Sequence, residues 1–123
     1  MSPVPLITVI GSLNMDLVTY TLRMPVGGET LTVCSLRAGF GGKGPNQAIA
    51  CARMSRRKKA RSSIGSSGSS TTVVKMISAV GGDVYGQALK SSLEEFGLDT
   101  SGIEIRRDSK TGIATILVEE VSS

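Results

Sequence analysis

Residues 39–47 read Gly-Phe-Gly-Gly-Lys-Gly-Pro-Asn-Gln, and the four glycines let backbone approach a small polar ligand where side chains would block it. Gly44 suits a helix N-cap and Pro45 the first helical position, where a missing N–H costs nothing. The run predicts a recognition loop that opens a helix over 46–54, with Ala48, Ile49 and Ala52 on its buried face. The segments around it agree. Leu6-Ile7-Thr8-Val9-Ile10 is almost continuously apolar and β-branched, as expected of a central strand covered on both faces. Val73 to Val80 has the same character. Asp83 then caps a helix carrying Tyr85, Leu89, Leu93 and Phe96 on one side, with Gly97 as its left-handed stop. Strand, loop, helix, strand, helix is the opening of a doubly wound α/β fold. More polar segments at 16–20 and 29–38, separated by Pro25 and Gly27-Gly28, predict two strands of a smaller sheet. Segments 103–107 and 112–119 alternate enough to be two further strands.

Composition removes several classes of chemistry. The 123 residues suffice for one domain and contain no histidine, so Ser-His-Asp and Cys-His sites and imidazole-bound metals are excluded. Cys34 and Cys51 fit no metal spacing and are expected to be reduced thiols. No stretch reaches the ~18 apolar residues of a membrane span, and a cytoplasmic location is expected. The net charge of +4 is local: Arg56, Arg57, Lys58, Lys59 and Arg61 lie within six residues, and the rest of the chain is close to neutral. This cluster runs into a Ser/Gly-rich tract, and 56–72 is expected to be a solvated inserted loop. A nuclear-import signal or a weak polyanion patch are the alternatives. With two Phe, two Tyr and no Trp there is little surface for base stacking, so nucleic acid is not the expected partner.

Open α/β sheets bind ligands at the carboxyl ends of their strands, and Asn14 and Asp16 follow the first strand directly. Two apart in extended chain, their side chains point to one side. A carboxylate accepts two hydrogen bonds while an amide donates and accepts, which suits vicinal hydroxyls and repels phosphate. Lys43 as a mobile cation and Asn46 at a helix N-terminus would complete the shell. Each feature alone is also compatible with an ordinary turn.

Phosphate motifs fail on context. Gly39 to Gly44 matches G-x-G-x-x-G, but the region ~20 residues on, where a dinucleotide site places an acid, is the Ser/Gly tract. Lys43 precedes Gly44 and Pro45 where a Walker loop requires Gly-Lys-Ser/Thr, and Asn46 stands where a kinase glycine loop has Val.

Taken in order, Gly-Ser-Leu-Asn-Met-Asp at 11–16, Pro-Val-Gly-Gly-Glu-Thr at 25–30, the glycine run at 39–48, Ala-Val-Gly-Gly-Asp-Val-Tyr-Gly at 79–86 and Thr-Gly-Ile-Ala at 111–114 resemble the ribokinase family of carbohydrate kinases. The resemblance covers nearly the whole chain outside the 56–72 tract. It implies a three-layer α/β (Rossmann-like) fold with a small β-sheet lid, the lid strands lying at about 16–38 and 103–119 and often pairing with a second lid in a homodimer. It implies that Asn14 and Asp16 hydrogen-bond sugar hydroxyls, that Gly42, Lys43 and Asn46 close the other side, and that Ala114 and Ile116 pack on the sugar's apolar face. Pro45 replaces the family's usual small residue.

The family reaction moves the γ-phosphoryl group of Mg-ATP to a sugar's primary hydroxyl, D-ribose being the substrate that the motif wording resembles most, with a monovalent cation (K+) as activator. Its catalytic aspartate, anion-hole glycines and nucleotide pocket belong to a later part of the chain, and no segment here has that wording. Losing a general base typically costs about 10²–10⁴ in rate. The expectation is therefore a truncated, sugar-binding amino-terminal portion, catalytically incomplete by itself, with no tightly bound cofactor or metal. An inactive sugar-binding or dimerising fragment, or another sugar or nucleoside kinase of the family, are the alternatives. Because it would leave a strand edge and an apolar face uncovered, the isolated chain is expected to aggregate or to be partly disordered.

Overall fold

The computed structural model describes residues 4–55 and 72–120, so the expected loop at 56–72 falls, Thr72 excepted, outside the described residues. The described elements are β1 (Leu6–Ile10), β2 (Asn14–Thr21), β3 (Ser35–Gly41), α1 (Lys43–Met54), β4 (Val73–Gly81), α2 (Val84–Glu95), β5 (Asp99–Arg106) and β6 (Ile113–Glu119). They form two three-stranded sheets. The first has the order β1-β4-β5 and is parallel throughout, while in the second β2 lies between antiparallel β3 and parallel β6.

The core lies on one face of the first sheet. Val9, Val74, Met76, Val80 and Ile103 point into it from the strands, Ala48, Ile49 and Ala52 from α1, and Leu89 and Leu93 from α2. Met76 and Leu93 are completely buried, each contributing roughly 1.5–3 kcal/mol of transfer free energy. Helix α2 follows its sequence pattern closely. The Asp83 side chain caps it by accepting from Gly86 N–H at 2.9 Å. At its other end Gly97 takes φ +83° and donates to Glu94 C=O, while Leu98 N–H reaches Leu93 C=O. This is a Schellman turn with its expected apolar contact, since Leu93 and Leu98 are both buried.

Four expectations are corrected. Of the segment 103–107, residues 103–106 belong to β5 of the first sheet and not to the smaller sheet, because Ile103 aligns with Ser78 of β4 and is buried in the main core. Segment 29–34 is not a strand, and β3 begins only at Ser35. The cap of α1 is Gly42 and its first residue Lys43, so Pro45 stands third in the helix. Position three is still within the first turn, whose N–H groups have no intrahelical partner, and proline is tolerated there. Finally, β1 is an edge strand among the described residues, and both helices cover the same face. On the opposite face Leu6, Ile10, Val73 and Ile77 remain exposed, Ile10 by 77%. Two of the three expected layers are thus present in the described residues.

Candidate functional site

Three chain crossings join the two sheets at one end of the molecule, and the candidate residues lie along them. At the first, Gly11 and Ser12 link β1 to β2. At the second, Gly42 links β3 to α1 with φ +97°, a conformation that side chains other than glycine's strain to reach. Backbone meets backbone here: a Cβ on Gly42 would lie 2.6 Å from Ser12 C=O, and one on Gly11 would lie 2.9 Å from Gly44 Cα. Gly42 and Gly44 of the run therefore serve the contact between two turns. The third crossing, residues 107–112, links β5 to β6.

Asp16 occupies the middle of the second sheet, aligned with Gly39 of β3 and Ala114 of β6. Residues directly opposite share a face, so its carboxylate stands between one residue with no side chain and one with a single methyl. It leans toward Gly41, where any Cβ would collide with it. Asn14 is opposite Gly41 on the same face, and its side-chain oxygen would be 2.6 Å from a Cβ on Gly112. Ile116 is aligned with Val18 and so also lies on this face, exposed by 38%. The structure thus gathers Asn14, Asp16, Ala114 and Ile116 on one surface, with Gly41 running straight into Gly42 and Lys43 beside it. Lys43 and Asn46 are exposed in the first turn of α1, a helix end without a side-chain cap and therefore with free N–H groups. Among the described residues, no hydrogen bond engages the side chains of Asn14, Asp16, Lys43 or Asn46. Donors and acceptors left free on a half-buried surface are what a polyhydroxylated ligand requires.

A second polar cluster braces this surface. Asp83 accepts from Thr111 N–H at 2.9 Å and from the Thr111 hydroxyl at 2.7 Å, in addition to capping α2. These bonds, Thr111's first, hold its carboxyl down at about 2. The Thr111 oxygen in turn accepts from Gly81 N–H at 2.9 Å. The aromatic Phe40 of the glycine run packs edge-on against Phe96, centroids 5.7 Å apart, tying the run to the end of α2.

Residues 4–122 match the model of the pfkB family carbohydrate kinases. The chain belongs to that family. Among its relatives, a deoxyribokinase from Salmonella typhi is 36% identical, covering 95% of this chain and 33% of its own. A ribokinase from Schizosaccharomyces pombe is 37% identical over 93% of this chain and again 33% of its own. The solved ribokinase of Giardia lamblia superposes with a TM-score of 0.74 at 34% identity, covering 94% of this chain and 33% of that one. That of Arabidopsis thaliana, complexed with ribose and ATP, superposes at 0.73 with 24% identity over 97% of this chain and 33% of that one. The chain therefore spans about a third of the length of these relatives, and the pfkB kinase fold is the one its sheets follow.

Sequence reasoning missed Gly41, Gly112 and Thr111 as parts of this surface. Gly41 lies inside the glycine run, and Gly112 and Thr111 are marked in the sequence only by the motif at 111–114. Their function depends on which side chain of another strand comes to rest against them, and local sequence does not encode that.

Proposed function

We propose that this pfkB-family chain supplies the sugar-holding part of a ribokinase-type phosphotransferase, the complete protein converting D-ribose to ribose 5-phosphate at the expense of ATP. The observation that carries the reading is the open carboxylate of Asp16, flanked by Gly39 and Ala114 and accompanied by Asn14 on the same face. Asp16 accepts from two adjacent sugar hydroxyls and Asn14 both donates and accepts. Lys43, Asn46 and the backbone at Gly42 close from the first turn of α1, and Ala114 and Ile116 meet the C–H face of the ring. The second sheet acts as a lid over the sugar, and pairing of two such lids in a homodimer belongs to the same reading. Relatives named ribokinase and deoxyribokinase both support a pentose and leave the 2-hydroxyl as the point of discrimination.

Mg-ATP and a monovalent cation, K+, complete the proposed reaction by supplying the phosphoryl group and its charge neutralisation. No group of three or more His, Cys, Asp or Glu among the described residues is arranged to hold a metal ion. In this reading metal and nucleotide belong to the length of the relatives that this chain does not span, and its own share of the chemistry is binding and orienting the sugar. Among the described residues no helix is long and apolar enough to cross a membrane, and a cytoplasmic site of action is part of the proposal.

Calorimetric titration of the complete protein with D-ribose tests this. Asp16→Ala leaves two hydroxyls without their acceptor, and the affinity is expected to fall about 10²-fold. Unchanged ribose affinity would overturn the reading. The 123-residue chain alone is expected to give no ATP-dependent turnover.

A further inference from the structure

We propose that Asp83 and Thr111 are positioning residues for sugar capture, fixing the start of β6 and, through Gly112, the side chain of Asn14. The inference rests on the sugar-binding reading above and adds two residues that touch no sugar.

A helix cap requires one acceptor bond, and Asp83 provides it to Gly86 N–H. Its remaining capacity goes elsewhere. Both carboxylate oxygens reach across 28 residues of chain to Thr111, one to the backbone N–H at 2.9 Å and one to the hydroxyl at 2.7 Å. Thr111 is 5% exposed, and its hydroxyl oxygen also accepts from Gly81 N–H at the end of β4. One residue of the second sheet's approach is thereby held at three points by the first sheet and the helix that follows it. The next residue, Gly112, accepts from Met15 N–H at 2.9 Å and lies against the Asn14 carboxamide so closely that a Cβ there would come within 2.6 Å of its oxygen. The path from the first sheet to a sugar ligand is short: Asp83, Thr111, Gly112, Asn14. Ala114 follows two residues later on the same strand, beside Asp16. A displaced Thr111 moves the backbone on which Asn14 rests and the strand that lines the ring together.

The test uses the complete protein, measuring KM for D-ribose, KM for ATP, kcat, ribose affinity and thermal midpoint in parallel. Thr111→Val keeps the shape and the backbone N–H but removes the hydroxyl, and Asp83→Asn places a donor where the Thr111 groups require an acceptor. Both are expected to raise the ribose KM about tenfold with the ATP KM unchanged, whereas Thr111→Ser, which retains the hydroxyl, is expected to behave as the parent. In an Asn14→Ala background the Thr111→Val effect should shrink to about twofold or less, because residues acting through one another are not additive. Two outcomes overturn the proposal: ribose affinity that holds within twofold while the melting temperature falls, or a full tenfold loss that persists without Asn14. If Asn14→Ala and Asp16→Ala themselves leave ribose affinity unchanged, the sugar-binding reading fails instead. Thr111→Val carries the test if Asp83→Asn does not fold.

Discussion

Among the described residues the two sheets have equal strand number, but the first carries the buried core and the second the exposed candidate residues. The first is parallel, and on its covered face Val74, Met76 and Ile103 form one buried cluster with Ala48 of α1 and Leu89 and Leu93 of α2. The second touches the helices only near its junction, through Met15, Leu17 and Phe40, and most of β3 and β6 is exposed. Burial of apolar surface is what stabilises a fold, and hydrogen-bonding groups without partners are what bind a ligand. The candidate residues stand where the two sheets meet, rigid enough to hold a geometry and open enough to be reached.

Substitutions in the two regions should separate these roles, and the largest effect is expected in the first. Leu93→Ala empties a fully buried site and should lower the unfolding free energy of the complete protein by about 2–5 kcal/mol in urea denaturation. Leu117→Ala in β6, 43% exposed, should change that of a single unpaired subunit by less than about 0.5 kcal/mol. A comparable loss at Leu117 would mean that the second sheet is covered in the complete protein, as pairing of two lids requires. Next in size is Gly41→Ala, whose methyl would occupy the place of the Asp16 carboxylate. Ribose affinity should fall about tenfold or more while the melting temperature moves little, because a side chain can yield where a backbone cannot. Equal affinity would show that Asp16 reaches the sugar from another rotamer. Smaller again, Gly97→Ala forces a side chain into φ +83° at the end of α2. About 1–2 kcal/mol of stability should be lost in the same denaturation, with no change in ribose affinity.

The division also explains what sequence could and could not reveal. Helix α2 was legible from end to end because its signals are local: Asp83 before it, Leu89 and Leu93 one turn apart, and Gly97 after it. The strands β1 and β4 announced themselves by β-branched runs. Their surroundings did not. Continuous apolarity in Leu6–Ile10 implies cover on both faces, yet one face is open among the described residues. Strand β5 was found but given to the wrong sheet, since Ile103 and Ile105 alternate with polar residues in either setting and only long-range register decides between them. The candidate site is legible where a motif names the side chains that the structure gathers, as with Asn14, Asp16, Lys43 and Asn46. It is not where the contribution is an absence of side chain, at Gly41 and Gly112, or a bond spanning 28 residues, between Asp83 and Thr111.

The pH dependence carried by Asp83 sharpens the comparison most, because it concerns the bond between the regions. Asp83 in the folded protein has a pKa lowered to about 2 from an ordinary 3.8, Thr111 being the main cause. A depressed carboxylate stabilises the fold fully above the unfolded value and ceases to do so as pH falls through the folded one. Its contribution should thus be constant from neutrality down to about pH 4 and fade between there and pH 2. Asp83→Asn removes the charge in both states, so the stability difference between parent and variant should be flat at higher pH and close over that acid window. Ribose affinity of the parent should weaken over the same interval, beyond any loss from Asp16 itself, if the bond to Thr111 sets the position of Asn14. Thr111→Val, which deprives Asp83 of one of its acceptor bonds, should move the midpoint of the closing toward higher pH. A gap that stays constant down to pH 2 would mean that some group other than Asp83 carries the acid sensitivity, and that its bonds to Thr111 do not hold the two sheets together.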